Sequence, residues 1–382
     1  MSQDRARRVP AEPIPLTVLT GFLGAGKTSL LNRLIHDPAL HETAVIINEF
    51  GEIGLDHLLV KPVRDGVVLL QSGCLCCTLR GDLVEALEQL LRDLDNGRVA
   101  FRRMILETTG LADPAPVLQT VMAHPYLVQR LRLDGVITVV DAVNAAATLD
   151  EHMESVKQVA VADRIVLTKT DLLAAAGRRE AVQGLRSRLA ALNPAAPVLD
   201  AAAGEAAAEH LIGCGLLDPD RKIPDVKRWL AEEAYAAPAP HGANETHRAH
   251  QHDRNRHDDR IRAFTLTSEA PIPAASFEMF IDLLRSLHGP KLLRLKGIVQ
   301  IAEEPDRPLV IHGVQHVLHP AVRLERWPDD DRRTRIVLIT RDLRAGEVTP
   351  LFDAFLNRSA PDQPDRAGLL DNPLVPFGGM DR

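Results

Sequence analysis

The fold is decided by the stretch Gly21-Phe22-Leu23-Gly24-Ala25-Gly26-Lys27-Thr28. An apolar run, residues 14–19, precedes it, and a helical pattern, residues 29–35, follows it. Strand, glycine-rich turn and helix, with the spacing G-x-x-x-x-G-K-[ST], are typical of a phosphate-binding loop. The glycines let backbone N–H groups approach phosphate oxygens, and the helix adds the positive end of its dipole. We therefore expect a bound nucleoside triphosphate, with Lys27 on the β- and γ-phosphates and the Thr28 hydroxyl on Mg²⁺.

Length and composition indicate a folded protein of two domains, or of one large domain with an appendage. The chain has 382 residues, 45% of them hydrophobic, and a formal net charge of −7. This negative charge argues against nucleic acid as a partner. No apolar run reaches the roughly 18 residues of a membrane span, so we expect no membrane insertion. Residues 1–13 are predicted to form a flexible arm, and residues 1–15 lack the apolar core of a signal peptide.

Residues 14–235 are predicted to form an α/β domain. Short β-branched runs alternate with amphipathic helical patterns, which is typical of a largely parallel sheet flanked by helices. In such a sheet, ligands bind at the carboxyl ends of the strands. The predicted strands are residues 16–20, 44–48, 67–71, 103–107, 135–141 and 164–168, and the predicted helices include residues 79–94 and 178–192.

The composition changes after residue 235. Residues 236–260 are polar, contain five histidines and are predicted to be a flexible linker. The linker histidines are either a metal reservoir or a solvated tract without function. Residues 261–357 are predicted to form a smaller α+β domain with an antiparallel sheet, and residues 358–382 a disordered tail. The predicted strands of this domain are residues 262–267, 292–301, 308–314, 315–324 and 334–340, and its predicted helices are residues 274–287 and 346–356.

A guanine site is indicated by Thr168-Lys169-Thr170-Asp171, directly after a predicted strand. The Asp171 carboxylate can accept two hydrogen bonds, from N1–H and the exocyclic amine of guanine. Adenine offers no such pair of donors, and an unpaired buried carboxylate is costly. The stem of Lys169 can lie over the base plane. These residues favour GTP over ATP.

The γ-phosphate side of the site is expected around Glu107 and Gly110, at the end of another predicted strand. Glu107 can hold the Mg²⁺ shell, and Gly110 can bring its N–H to the γ-phosphate. Asp141 competes for the role of Glu107, and we favour Glu107. Asp113, followed by a proline, is predicted to cap a helix. The acidic segment 48–54 is either a loop that senses the γ-phosphate and Mg²⁺ or an ordinary turn.

Three of the four cysteines, Cys74, Cys76 and Cys77, lie together, and Cys214 stands alone. This clustering is typical of metal-binding thiols in a reduced compartment and predicts a cytoplasmic protein. A predicted helix follows directly, and its N-terminus favours thiolates. Three thiolates with a vacant fourth coordination position suit a metal that is loaded and released. Zn²⁺ is the expected ion, and Co²⁺ and Cu⁺ are the alternative ions. A redox pair or inert buried cysteines are the alternatives. Four scattered histidines are expected to be packed or surface residues: His124, His312, His316 and His319.

Taken together, the motifs resemble those of the CobW-type GTPases, relatives of the nickel-insertion GTPases of urease and hydrogenase maturation. The resemblance is carried by GFLGAGKT, INEFGEIGLD, GCLCCTLRGDL, ETTGLADP and TKTD, in that order, and by GPKLLRLKGIV and IHGVQH in the second domain. It implies GTP hydrolysis, Mg²⁺ dependence, a Cys-x-Cys-Cys metal site and delivery of metal to a client metalloprotein. It also implies that Glu52 is a possible additional metal ligand. Thr168 stands where asparagine is common in GTPases, which weakens one base contact. The residues that the resemblance makes catalytic are Lys27, Thr28, Glu107 and Gly110.

The expected mechanism is that of a GTP-gated zinc carrier. GTP and Mg²⁺ are expected to order segments 48–54 and 74–77 so that these segments hold Zn²⁺ tightly. Contact with the client, together with GTP hydrolysis, is expected to release the ion. No catalytic base or arginine finger is visible in the sequence, so slow intrinsic hydrolysis is expected. Two alternatives stay open: a cobalt-handling GTPase linked to cobalamin synthesis or metalloenzyme activation, and a nucleotide switch with structural or redox-active cysteines. The sequence leaves the client and the oligomeric state open.

Overall fold

Two β-sheets, one in each part of the chain, organise the structure, a computed structural model that describes residues 12–48, 59–63, 67–72, 80–213, 260–315 and 317–356. In the first sheet, the strands at residues 14–21, 43–47, 103–107, 131–141 and 164–168 are mostly buried on both faces, as expected for strands covered by crossover helices. Its strands are β1 (Ile14–Gly21), β2 (Thr43–Asn48), β3 (Leu59–Val63), β4 (Val67–Ser72), β5 (Arg103–Glu107), β6 (Leu131–Asp141), β7 (Arg164–Thr168) and β8 (Val198–Asp200).

The strand order of the first sheet is β3-β4-β2-β5-β1-β6-β7-β8. Every neighbouring pair is parallel except β3 and β4, which are antiparallel. The central strand β1 lies between β5 and β6, so the stretch after Gly21 leaves the middle of the sheet. The carboxyl ends of the parallel strands lie at the same edge, where ligands bind in sheets of this kind.

Helices cover both faces of this sheet. On one face the leucines of a long helix recur every three or four residues and are buried against strands β2 and β5. On the same face, valines and leucines of two further helices pack against β6 and β7. On the other face, leucines of the helix that follows the glycine-rich loop pack against β1, β5 and β6. The helices of this part are α1 (Lys27–Leu34), α2 (Arg80–Asp95), α3 (Pro114–Ala123), α4 (Leu127–Arg130), α5 (Ala145–Glu151), α6 (Met153–Ala160), α7 (Arg178–Leu192) and α8 (Ala208–Leu211), with 3₁₀ turns at Pro38–Leu40 and Thr170–Leu172.

The second part of the chain is a smaller α+β unit. Its elements are β9 (Ile261–Ser268), α9 (Ala274–His288), a 3₁₀ turn (Gly289–Lys291), β10 (Leu292–Val299), β11 (Leu309–Val314), β12 (Val317–Leu318), β13 (Val322–Arg323), β14 (Thr334–Arg341) and α10 (Ala345–Phe355). The sheet is antiparallel, in the order β12-β11-β10-β14-β9, and β13 pairs with β11. One face packs on α9 and α10 through Phe280, Leu284 and Phe352. The other face contacts the first part of the chain.

A buried ion cluster joins the two parts. Asp163, between α6 and β7, accepts hydrogen bonds from Arg294 and Lys296 on β10, and its second oxygen accepts from the Val136 N–H. Burial alone raises the pKa of Asp163, but the charges of Arg294 and Lys296 outweigh it and hold the pKa far below its usual value. The carboxylate therefore stays ionised in the interface.

The predicted α/β fold with an antiparallel second sheet is confirmed, and three details differ. Strand β3 is not among the predicted strands. It contains Pro62 and lies at the edge of the sheet, where proline is tolerated. The run predicted over residues 315–324 is two short strands, β12 and β13. The run predicted to reach residue 301 ends at Val299, and Ile301 makes an isolated bridge with Ile272. Within the described residues, no helix is long and apolar enough to cross a membrane.

Candidate nucleotide site

The phosphate loop adopts the conformation that its glycines permit. Gly24 has φ 71° and Gly26 has φ 90°, both in the left-handed region that residues with a Cβ rarely adopt. The loop is closed by a hydrogen bond from the Ala25 N–H to the Phe22 carbonyl (3.1 Å). Gly26 is the N-cap of α1 and supplies no capping side chain. The first N–H groups of α1 are thus free of a side-chain cap, which fits a phosphate at this helix end.

The two polar side chains that begin α1 lie where the loop motif requires them. Lys27 is 8% exposed, and its Nζ donates to the carbonyls of Gly21 (2.9 Å) and Phe22 (3.2 Å), so the ammonium is held inside the loop. The Thr28 Oγ1 donates to Oε1 of Glu107 (2.8 Å). Glu107 is buried at the end of β5, where it pairs with Leu19 of β1. The structure thus brings Thr28 and Glu107 together.

The loop after β5 packs directly on the phosphate loop. The Thr108 hydroxyl donates to that of Thr20 (2.9 Å). A Cβ added to Gly110 would lie 2.6 Å from the backbone N of Leu23, a distance that atoms of this kind do not reach. Gln158 of α6 holds the same loop through a hydrogen bond from its Nε2 to the Gly110 carbonyl (3.1 Å). Glycine at position 110 is therefore required by close approach of two backbones.

The residues predicted to bind guanine also brace the phosphate loop. The Thr168 hydroxyl donates to the Ala25 carbonyl (2.6 Å), and the Nζ of Lys169 donates to the Gly24 carbonyl (2.7 Å). Lys169 has φ 60° and also donates to Asp141 (2.7 Å). Thr168 is thus oriented toward the loop rather than only toward a base. The sequence led us to expect one weakened base contact at this position, and the structure gives the threonine hydroxyl a hydrogen bond to the phosphate loop.

Asp141 anchors Lys169 and does not reach Thr28. Partial burial raises the pKa of the Asp141 carboxyl, but hydrogen bonds from Lys169, from Asn144 and from the Val143 N–H lower it below its ordinary value. The carboxylate is therefore committed to organising the turn after β6. Of the two acidic residues that the sequence offered beside the phosphates, the structure places Glu107 next to the phosphate loop.

Asp171 lies in the 3₁₀ turn Thr170–Leu172 and is exposed, so its carboxylate is accessible to a base. The turn is fixed by a residue that the sequence reasoning missed, Asp200 at the end of β8. Its Oδ1 accepts hydrogen bonds from the Thr170 hydroxyl (2.8 Å) and from the Ala202 N–H (2.9 Å). An acidic residue at a strand end was the available signal, but β8 is only three residues long and carries no motif.

The predicted metal ligands Glu52, Cys74, Cys76 and Cys77 lie outside the described residues. The strands that lead to them are described. Asn48, the last residue of β2, pairs with Ser72, the last residue of β4, and Ile47 pairs with Glu107. Strand β2 therefore ends beside Glu107, and β4 ends at the same edge of the sheet, one strand further away. Across the described parts of the chain, no group of three potential metal-ligating side chains occurs.

Two further contacts were not foreseen. The ring of Phe22 stacks on His152, which lies between α5 and α6, with centroids 4.5 Å apart. Of the four histidines that are scattered in the sequence, two lie together in the structure: the rings of His312 and His319 are 4.7 Å apart in the second domain. His124 lies 3.7 Å from Glu88, and His316 lies outside the described residues. Sequence spacing alone could not show the His312–His319 pair, since a β-hairpin separates the two residues.

Comparison with known proteins accounts for both parts of the chain. The model of the CobW/HypB/UreG nucleotide-binding domain matches residues 15–200, and that of the cobalamin synthesis protein cobW C-terminal domain matches residues 261–356. The chain is 36% identical over 340 residues to the zinc chaperone YjiA of Escherichia coli strain K12, covering 89% of this chain and 98% of YjiA.

Two other proteins are informative. The zinc-regulated GTPase metalloprotein activator 1 of Schizosaccharomyces pombe is 36% identical over 200 residues, 50% of this chain and 47% of the activator. The crystal structure of Zn(II)-bound YjiA GTPase from E. coli superposes with a TM-score of 0.65 at 32% identity, covering 90% of this chain and 99% of YjiA. The two domain matches, the near-complete coverage of YjiA and the geometry of the phosphate loop all lead to the same conclusion. The chain belongs to the CobW/HypB/UreG family and carries the CobW C-terminal domain.

Proposed function

We propose that this chain is a GTP-gated zinc carrier that passes Zn²⁺ to client metalloproteins. The chain is a P-loop GTPase, converting GTP and water to GDP and phosphate. The observation that carries the proposal is the meeting of strand ends at one sheet edge: β1 leads into the phosphate loop, β5 ends at Glu107, and β2 and β4 lead to Glu52 and Cys74. A change at the γ-phosphate is therefore adjacent to the backbone that leads to the metal ligands.

The residues present fit GTP with Mg²⁺. The left-handed glycines and the uncapped start of α1 form a cradle for phosphate, and Lys27 supplies a cation inside it. Thr28 and Glu107 would hold Mg²⁺, which when bound neutralises phosphate charge and orients the γ-phosphoryl group. Gly110 would direct its N–H to the γ-phosphate, because its backbone already lies against the phosphate loop. Asp171 would select guanine.

The cargo site is proposed at Cys74, Cys76 and Cys77, with Glu52 as a fourth ligand. Thiolates select Zn²⁺ among the available divalent ions, and a carboxylate fourth ligand can leave more readily than a thiolate. Helix α2 begins at Arg80, three residues after the last of these cysteines, so its positive end would favour the thiolate form. A site of this composition binds Zn²⁺ strongly and still has one exchangeable position.

The relatives support this cargo and its delivery. YjiA is named a zinc chaperone, and its crystal structure holds Zn(II). The S. pombe relative is named a zinc-regulated GTPase metalloprotein activator, which supports a metalloprotein as the recipient. In our proposal GTP binding brings Glu52 and the three cysteines together, and hydrolysis in the complex with the client separates them. The Zn²⁺ ion then passes to the client.

Replacing Cys76 by serine tests the cargo site. We expect Cys76→Ser to lower the Zn²⁺ affinity of the full chain at least about tenfold, because loss of one ligand costs at least as much as loss of a supporting residue. GTP affinity in the absence of zinc should stay within about twofold. Zinc affinity is measured by competition with a chromophoric chelator, and nucleotide affinity by titration with a fluorescent GTP analogue.

Cys214→Ser is the matched control, because Cys214 lies far from the cluster in sequence. It should leave both affinities unchanged. Cys76→Ser could instead weaken GTP binding or lower the free energy of unfolding while zinc affinity is unchanged. In that case the cysteines are structural or redox-active and the carrier proposal is wrong. Repeating the competition with Co²⁺ distinguishes a cobalt-handling protein, which would retain Co²⁺ against an equal concentration of Zn²⁺.

A further inference from the structure

A cavity of about 300 Å³ lies between the two parts of the chain. Its walls come from the start of β6 on one side and from the strands beside β11 on the other. The cavity is lined by the first residues of β6, whereas Gly21, which begins the phosphate loop, pairs with Val139 near the end of β6, so the cavity is roughly 20–25 Å from that loop. It is therefore a separate site, of the size that small organic ligands occupy. The apolar side chains that line it are Met122, Val128, Leu131, Leu133, Pro320 and Val322.

Among the described residues that line the cavity, Arg132 carries a positive charge and no side chain carries a negative charge. Arg132, His312 and His319 line the cavity, and no aspartate or glutamate is among the described residues that do so. The Nε of Arg132 donates to the Pro13 carbonyl (3.0 Å), and the described residues offer no hydrogen-bond acceptor to its two Nη groups. Arg132 thus presents unused donors beside an apolar wall.

The two histidines add uncharged rings to the cavity wall. His312 is 5% exposed, and its Nε2 and that of His319 are buried without a hydrogen-bond partner among the described residues. Burial, followed by the charge of Arg294, lowers the pKa of His319 to about 4 and that of His312 well below its ordinary value. Both imidazoles are therefore neutral at pH 7. Because both Nε2 atoms are closed to solvent, the two rings form part of the cavity wall through their other atoms.

The charges behind the histidines decide the sign of the ligand. Lys296 pairs directly with His312 across β10 and β11, and Arg294 lies on the same face of the sheet. Asp163 carries one negative charge against these two positive charges. A metal cation would meet this excess of positive charge with only two imidazoles as ligands, which is unfavourable. An anion would neutralise it.

We propose that this cavity binds a small organic monocarboxylate. The carboxylate is held by the guanidinium of Arg132, and the aliphatic or aromatic body lies among the apolar side chains and the rings of His312 and His319. Because the two walls come from different parts of the chain, the bound acid holds those parts together. This site is independent of the nucleotide and of the zinc proposal.

The test uses the full chain, free of nucleotide and zinc, and isothermal titration with butanoate, hexanoate and octanoate. We expect affinity to rise about fourfold for each added methylene until the cavity is full. Hexylamine and hexanol have the same body without the negative charge and should bind at least about tenfold more weakly than hexanoate. Hydrogen exchange should slow at β11 and β12 when hexanoate is bound.

Arg132→Gln should weaken hexanoate binding about tenfold or more, because a charge-assisted hydrogen bond is lost. Arg130→Gln is the control: Arg130 lies two residues away and forms an ion pair with Asp95 outside the cavity. It should leave hexanoate affinity within about twofold. The proposal is overturned if no carboxylate of the series binds at millimolar concentration, if hexylamine binds as well as hexanoate, or if the two arginine variants behave alike.

Discussion

Gly110 is the residue at which the loop after β5 touches the phosphate loop. The two loops can approach this closely only because Gly110 has no side chain. In Gly110→Ala the new Cβ would lie 2.6 Å from the Leu23 N and 2.7 Å from its Cα, both backbone atoms that cannot move aside as a flexible side chain can. We expect the phosphate loop to be displaced and GTP affinity to fall at least about tenfold, at an overpacking cost of about 1–3 kcal/mol. Titration with a fluorescent GTP analogue measures the affinity.

Gly184→Ala is the control for this substitution. Gly184 lies within α7, and a Cβ added there meets no atom within 4 Å. This variant should keep its GTP affinity and gain about 0.5–1 kcal/mol in free energy of unfolding, because alanine favours the helix. Equal GTP affinity for the two variants would show that the contact between Gly110 and Leu23 does not constrain the nucleotide site.

Thr168 shows how one hydroxyl connects the base and phosphate ends of the site. Its Oγ1 donates to the Ala25 carbonyl (2.6 Å). Thr168→Val keeps the shape and removes the donor, so we expect GTP affinity to fall about fivefold to tenfold, the effect of one hydrogen bond of about 1–1.5 kcal/mol. Thr168→Ser keeps the donor, so its GTP affinity should stay within about twofold of that of the natural chain. Identical affinities for valine and serine would contradict a bracing role for the hydroxyl.

At the scale of elements, the turn between β5 and α3 joins the nucleotide site to the second domain. Asp113 caps α3 by accepting from the Ala115 N–H (3.0 Å) and also accepts from Lys157 of α6 (3.1 Å) and Gln315 after β11 (2.8 Å). Asp113→Ala should lower the free energy of unfolding by about 2–3 kcal/mol, the sum of a cap and two hydrogen bonds to side chains. Gln315→Ala removes one of these bonds and should cost about 1 kcal/mol.

Urea denaturation measures both variants, with Asp37→Ala as a cap control. Asp37 caps the 3₁₀ turn Pro38–Leu40 through the Ala39 N–H (2.9 Å) and accepts one long hydrogen bond from the Ala208 N–H (3.4 Å), so its loss should cost about 1 kcal/mol. If Asp113→Ala costs no more than Asp37→Ala, the links from Asp113 to α6 and to the second domain contribute no stability.

The sequence predicted those elements whose physical cause is local. The loop at residues 21–28, the strands Arg103–Glu107 and Arg164–Thr168, and the cap at Asp113 depend on neighbouring residues, and the structure has them at the predicted positions. The contacts that were not predicted depend on distant residues. The partner of Asp163 lies 131 residues further along the chain, and His319 reaches His312 only because a hairpin reverses the chain. The roles of the site residues stay predictions that the experiments above test.

At the scale of the whole molecule, the interface between the two parts contains neutral histidines that acid would charge. The pKa of His319 is lowered to about 4 by burial and then by Arg294, whereas a histidine in the unfolded chain titrates near 6.5. Between these pH values the unfolded chain binds a proton that the folded chain does not, so the free energy of unfolding falls as the pH falls from 6.5 to 4. The loss for His319 is at most about 3 kcal/mol.

The groups that face His319 and His312 do not reverse this sign. The pKa of Asp163, raised by burial but lowered more by the charges of Arg294 and Lys296, lies below that range. His319→Gln cannot gain the proton, so its unfolding free energy should fall less between pH 6.5 and 4.5 than that of the natural chain. The exposed His36→Gln should match the natural chain. Parallel pH curves for all three proteins would contradict a buried neutral His319.

The central claim is that GTP controls zinc affinity, and one equilibrium measurement tests it most directly. The Zn²⁺ dissociation constant of the full chain is measured by chelator competition with a non-hydrolysable GTP analogue, with GDP, and without nucleotide. We expect zinc to bind at least about fivefold more tightly in the GTP state, and zinc to tighten GTP binding by the same factor, because coupling between two sites is reciprocal. Cys76→Ser should abolish the difference. The same zinc affinity in all three states would contradict the account.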